Sequence, residues 1–236
     1  MAKPIPGFPG FRPEALQFLR DLAANNNRDW FLVNKPVYET DVVAPLRLLL
    51  ADVISALAGI GSPLTGDPAK AIFRIHRDVR FSKDKLPYKT NSGAVLRKAG
   101  GAKFDGILYI HLDPAGCFVA AGFYLPEKEA LEAIREAIYV DPARANALRA
   151  DLAGRKLGFD MSDTLSRMPR GFEDAVDSPI ADLLRLKSFT VRRDIELSNP
   201  TAVTKIVKFT EDSAALLNFG WQALTVLDPT ALTRRR

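Results

Sequence analysis

The sequence predicts an α+β protein with a mostly antiparallel sheet and a β-hairpin, flanked by N-terminal, middle and C-terminal helices. Three observations carry this. Apolar residues recur every three to four positions towards both ends of the chain, and their spacing falls to two in the middle. Asp113-Pro114-Ala115-Gly116 has the residues of a tight turn and separates two runs of the shorter period. Helices that flank hairpin-connected strands define the α+β class.

Pro13 marks a helix start, and Leu16, Phe18, Leu19 and Leu22 form its apolar stripe up to the Asn25-Asn26-Asn27 run. After Asp29-Trp30-Phe31, a longer helix carries Tyr38, Val42, Leu46, Leu49, Val53 and Leu57, with Gly59 as its stop. Pro45 lies inside it, predicting either a kink or a true start near Val43 with the earlier turn separate. From Ala71 the period becomes two: Ile72, Arg74 and His76 share one strand face, Phe73 and Ile75 the other. Residues 92–98 predict a further strand ended by Gly100-Gly101, and residues 106–113 and 117–125 predict the hairpin.

Pro126 and Pro142 open two helices, the first with Leu131, Ile134 and Ile138 on its apolar side, the second with Ala145, Leu148 and Leu152. Residues 156–171 carry no clear period. Residues 180–186 predict a short helix and 189–193 a strand. Asn199-Pro200 begins the last helix, whose apolar residues include Val203, Ile206, Phe209, Leu216 and Phe219.

The 236 residues are 47% hydrophobic and 26% charged, within the range of ordinary globular domains, and no Pro/Gly/Ser-rich linker divides them. A single domain is expected, with an ordered core over about 7–228 and a basic tail at 229–236. Cys117 is the one cysteine, which excludes an intramolecular disulfide and a cysteine zinc site. A reducing compartment fits. The N-terminus lacks the apolar segment of a signal peptide, and no run of eighteen apolar residues occurs, so a cytoplasmic protein without a membrane span is expected.

The net charge is +5, but its distribution says more than its total. Between Lys70 and Lys103 ten Lys or Arg stand against Asp78 and Asp84, a local excess of +8, while the rest of the chain is net −3. Such a local field attracts phosphate, carboxylate or nucleic acid. After the strand, Asp78, Ser82, Asp84 and Pro87 favour turns that fold the chain back and gather its cations. Arginine clasps a phosphate or carboxylate with two parallel hydrogen bonds, and lysine adds a compact point charge. The candidate ligand-binding residues are Arg74, Arg77, Arg80, Ser82, Lys83, Lys85, Tyr88 and Lys89, with Tyr109 from the hairpin. The competing reading is a solvated face whose ion pairs, such as Arg77 with Asp78 or Asp84, only tether the loop.

Both histidines, His76 and His111, fall in predicted strands. If these are neighbours, Ile72, Arg74 and His76 lie beside Tyr109, His111 and Asp113 on one polar face. An imidazole gives or takes a proton near neutrality, and Asp78 or Asp113 can orient one. His76, His111 and Asp78 are therefore the candidate catalytic residues. Two histidines without HxH or HxxxH spacing make a poor metal set, so no metal site is assigned. Trp30, in a turn-like stretch, is either core or the wall of a pocket. GxGxxG, GxxxxGK[ST], GxSxG and CxxC are all absent, and no cofactor is indicated.

The succession Phe8-Pro-Gly-Phe11, Asn27-Arg28-Asp29-Trp30-Phe31, Phe73-Arg74 through Tyr88-Lys89, and the 106–126 hairpin ending Gly122-Phe-Tyr-Leu-Pro126 resembles a bacterial and fungal family, domain of unknown function 2461. The resemblance runs from about Gly7 to Leu227. It implies a compact cytoplasmic α+β protein and carries no assigned activity, cofactor or residue roles. Three functions stay open: a cationic pocket for a phosphorylated or carboxylated small molecule, with or without catalysis; a nucleic-acid-binding module using Tyr109, Phe81 and Tyr88 as stacking rings; and a scaffold whose Arg-rich loop docks on an acidic partner.

Overall fold

The computed structural model describes residues 7–80, 82–101 and 106–225. Lys103, Phe81 and the tail at 229–236 lie outside them. In chain order the elements are α1 (Pro13–Ala24), α2 (Arg28–Val37), a π-helical turn (Tyr38–Val43), α3 (Ala44–Gly59), β1 (Leu64–Thr65), α4 (Pro68–Ala71), β2 (Ser92–Lys98), β3 (Ile107–Leu112), β4 (Phe118–Phe123), α5 (Lys128–Val140), α6 (Pro142–Gly154), a 3₁₀ turn (Glu173–Ala175), α7 (Ala181–Leu184), β5 (Phe189–Asp194) and α8 (Thr201–Thr225). The strands form one open antiparallel sheet in the order β1-β2-β3-β4-β5, with Leu64 opposite Lys98 and Thr65 opposite Arg97. The α+β class and the β3–β4 hairpin are as the sequence predicts.

Contacts divide the chain into two compact units. Among the described residues the first takes those up to 99, 109–119 and 194–209, and the second the remainder. In the first unit α1 buries Ala15, Phe18, Leu19 and Leu22, a stripe at helical spacing. The three asparagines after it divide the labour. Asn25 closes α1 by donating to Asp21 O (2.9 Å), and Asn27 caps α2 by accepting from Trp30 N–H (3.0 Å). Asn26, buried between them, donates to Tyr88 O and accepts from Tyr88 N–H, both at 3.0 Å.

From Arg28 to Gly59 the backbone is helical without a break, although Pro36 and Pro45 lie within it. Proline's ring clashes with the carbonyl four residues earlier. The widened turn between the two prolines, where Ala44 N–H reaches back to Glu39 O, relieves that crowding. Of the two readings of Pro45, the start near Val43 is close to the boundary found at Ala44, but the preceding turn is continuous with it rather than separate. This is the one helix among the described residues long and apolar enough to cross a membrane. Its Val42, Leu46, Leu49, Leu50, Val53 and Leu57 are fully buried in the first unit. Rings of Phe18, Phe31, Tyr38 and Tyr88 pack around its N-terminal half, Phe31 and Tyr88 stacked at 4.3 Å.

The expected strand from Ala71 is not a strand. α4, capped by Asp67 on Ala69 N–H (2.8 Å), precedes an extended segment held by two isolated bridges, Ile72 to Ala94 and His76 to Tyr88. In the second unit α5 buries Ile134, Arg135 and Ile138. The backbone at Gly122 has φ +130 and passes so close to β5 that a Cβ would lie 2.0 Å from Phe189 O, so only glycine fits. Residues 156–171, without period in the sequence, are tied down by bridges from Phe159 to Val191 and from Thr164 to Leu186.

Candidate functional site

The cationic segment is an irregular hairpin. Phe73 N–H donates to Gly93 O (2.9 Å), Arg77 N–H to Pro87 O (2.9 Å) and Lys89 N–H to Ile75 O (2.8 Å), leaving 78–86 as its loop. That loop neutralises much of its own charge. Arg77 Nη1 pairs with Asp84 Oδ2 at 2.5 Å, Arg80 makes two bonds to Asp78 at 3.0 and 2.7 Å, and Lys85 Nζ donates to Val79 O at 3.0 Å. These guanidiniums hold the Asp78 and Asp84 carboxyls below the ordinary carboxylate range. Asp78 is thus committed to Arg80 and stands by neither histidine. Lys83 is exposed and Ser82 half-buried in the same loop.

Tyr88 does not reach a ligand surface. Its backbone is clamped by Asn26 and its ring, 4% exposed, is stacked on Phe31, so it is a core residue. Trp30 lies against Phe18 at 5.6 Å.

Arg74 and His76 behave differently. With Lys35, Tyr38, Glu39 and Arg47 from the long helix they line an open recess of about 280 Å³. Phe31, Ile72, Phe73 and Ile75 give it apolar walls. Among the described residues Lys35, Arg47 and Arg74 form no ion pair with a carboxylate. Burial, then the Glu39 charge, pushes the Tyr38 phenol up to about 12 against a partial offset from Arg47, so it stays a neutral hydrogen-bond donor. His76 is exposed, its ring 5.1 Å from Tyr88 and 6.2 Å from Phe31. The recess combines three uncompensated cations, a phenol and an imidazole with apolar walls, the chemistry for holding an anion and passing it a proton.

Lys35 and Arg47 escape the sequence reading because the helix changes phase between them. Twelve residues of regular α-helix, at about 100° each, leave Arg47 about 120° round from Lys35. The π turn absorbs about one extra residue, which returns the two to nearly the same side. Pro36 and Pro45, nine apart in one apolar helix, are the signal that such a slip occurs.

The second histidine stands elsewhere. β2 separates the 72–76 segment from β3, so the two predicted neighbours are not adjacent. On β3 the alternation does place Tyr109, His111 and Asp113 in a row: Tyr109 Oη lies 2.8 Å from His111 Nδ1, and His111 Nε2 lies 3.6 Å from Asp113 Oδ2. The imidazole is stacked on Phe118 at 4.4 Å. Tyr109 also meets Phe73, a wall of the recess, at 6.0 Å between ring centres. Lys89 Nζ lies 5.3 Å from the Phe73 ring centre; burial, then the charge of Arg74, lowers the pKa of its ammonium.

The fold and site define an α+β protein with an open antiparallel sheet and a cationic recess beside a long, π-interrupted helix. The chain belongs to the family of conserved hypothetical proteins DUF2461, whose model matches residues 14–219. No curated protein and no solved structure matches it.

Proposed function

We propose that the protein binds a small phosphorylated or carboxylated molecule in the recess between its long helix and residues 69–76. One observation carries the reading: Lys35, Arg47 and Arg74 border a single concavity without carboxylate partners, while Arg77 and Arg80, a few residues away, are neutralised locally. Three like charges gathered around one carboxylate, Glu39, still repel one another, and a bound anion relieves that repulsion. Glu39, the one acidic residue lining the recess, leaves an excess of positive charge there. Tyr38 adds a donor, and His76 supplies a proton donor or acceptor for chemistry on the ligand.

Calorimetry with inorganic phosphate and ribose 5-phosphate tests this on the wild type and on Arg47→Gln, Arg74→Gln and Arg77→Gln. A charge-assisted hydrogen bond contributes about 1.5–3 kcal/mol, so either recess variant weakens binding by roughly tenfold or more, while Arg77→Gln leaves it unchanged. Failure of the wild type to bind either compound, or an equal loss with Arg77→Gln, removes the proposal.

A further inference from the structure

The geometry points to a nucleoside monophosphate as the ligand: the recess takes the phosphate and sugar, and the ring of Phe73 takes the base. This rests on the anion-binding reading above and narrows its ligand. Phe73 is the residue that this reading leaves unexplained. Phe73 is 41% exposed at the border of the recess. Its position is fixed all the same. Its N–H is bonded to Gly93 O, the Ile72–Ala94 bridge adjoins it, and Lys89 and Tyr109 flank its ring. The ring borders the recess next to Arg74. An aromatic ring whose backbone is anchored, which is partly open to solvent and borders the recess, is the stacking platform of this assignment, because every base offers a π-face.

Charge and size point the same way. A phosphate monoester carries about −1.5 to −2 at neutral pH and suits three cations better than a single carboxylate does. At about 280 Å³ the recess falls just below the usual range of small-molecule pockets, about 300–1,000 Å³. A nucleotide seated by its phosphate therefore extends beyond the recess, and Phe73 is the ring that meets what emerges.

The test compares AMP, UMP, ribose 5-phosphate and a 5′-phosphorylated dinucleotide by calorimetry on the full chain and on Phe73→Leu. Stacking on one aromatic ring is worth about tenfold in affinity, so both nucleotides bind the wild type about tenfold tighter than ribose 5-phosphate. Phe73→Leu removes the advantage of the nucleotides over ribose 5-phosphate measured on the same variant, and a cooperative urea transition shows that the variant is folded. Nucleotides that bind the wild type no better than ribose 5-phosphate, or that are indifferent to Phe73→Leu, overturn the inference while the anion site stands. A wild type that binds none of these compounds removes both. A dinucleotide that binds tenfold tighter than either mononucleotide overturns the assignment to a free nucleotide in favour of a strand end.

Discussion

The phenol of Tyr109 lies across Gly93, with its Oη 2.8 Å from His111 Nδ1. A Cβ at position 93 would stand 2.6 Å from that Oη. The missing side chain is therefore what lets the phenol reach the imidazole. On the other side of the imidazole, Asp113 Oδ2 lies 3.6 Å from Nε2. Histidine NMR of the wild type is expected to show His111 Nδ1 hydrogen-bonded to the Tyr109 phenol. Gly93→Ala displaces the ring, breaks the Tyr109–His111 hydrogen bond and costs about 1–3 kcal/mol of stability through overpacking. An unchanged His111 spectrum in that variant rules the contact out.

Asn26 holds the basic hairpin against the N-terminal helices through both hydrogen-bonding groups of Tyr88. Asn26→Ala leaves a buried N–H and a buried C=O without partners, at roughly 1–3 kcal/mol each. The expected loss is roughly 2–6 kcal/mol in a urea titration. Asn26→Asp keeps only the acceptor and sets a carboxylate against Tyr88 O, so it is more stable when acid protonates the new side chain than at neutral pH. A loss below about 1 kcal/mol for Asn26→Ala, within ordinary surface effects, contradicts the clamp.

Glu39 is the acidic residue of the recess. Its removal in Glu39→Gln strengthens the field on a bound anion by an amount typical of exposed charge pairs, about 0.2–1 kcal/mol. Phosphate is expected to bind up to about fivefold tighter at low ionic strength, with the gain fading as salt is added. Weaker binding by this variant would show that Glu39 supports the site rather than restraining it.

Tyr38 makes the alkaline limb of the stability curve informative. Its phenol ionises near 10 in an unfolded chain and only at about 12 in the folded one. Below 10 both states keep the proton and stability is complete. Above it the unfolded state releases the proton first, so stability falls as pH rises towards 12, by roughly 2–3 kcal/mol for this group. Tyr38→Phe removes that contribution, and urea midpoints of the variant fall less steeply between these limits. Parallel curves for wild type and variant would assign the alkaline loss to other groups.

The sequence marks elements best where one residue dictates the backbone. Pro13 and Pro142 stand at the first positions of α1 and α6, Asn199 caps α8 with its side chain on Thr201 N–H (3.0 Å), and the 113–116 turn makes the hairpin. It marks them poorly where alternation lacks a partner. Residues 72–76 alternate as a strand would, but find only isolated bridges. At the site, Arg74 and His76 are legible as chemistry-bearing residues. The self-neutralisation of the loop is visible too, in aspartates two and seven residues from the arginines they meet. The burial of Tyr88 is not, since its partner Asn26 lies 62 residues away in sequence. Nor is the contribution of the long helix, because counting at the α period sends Lys35 and Arg47 to different faces.

The π-helical turn ties occupancy of the recess to the mechanics of its main helix. Lys35 precedes the widened turn and Arg47 follows it, so an anion bound as proposed and touching both spans that turn like a clasp. A wide turn between two prolines is where a long helix yields first, and fastening it from outside stiffens the rod at its weakest joint. Slower amide exchange over 38–44 on adding ligand, with little change over 50–57, is the signature of that fastening.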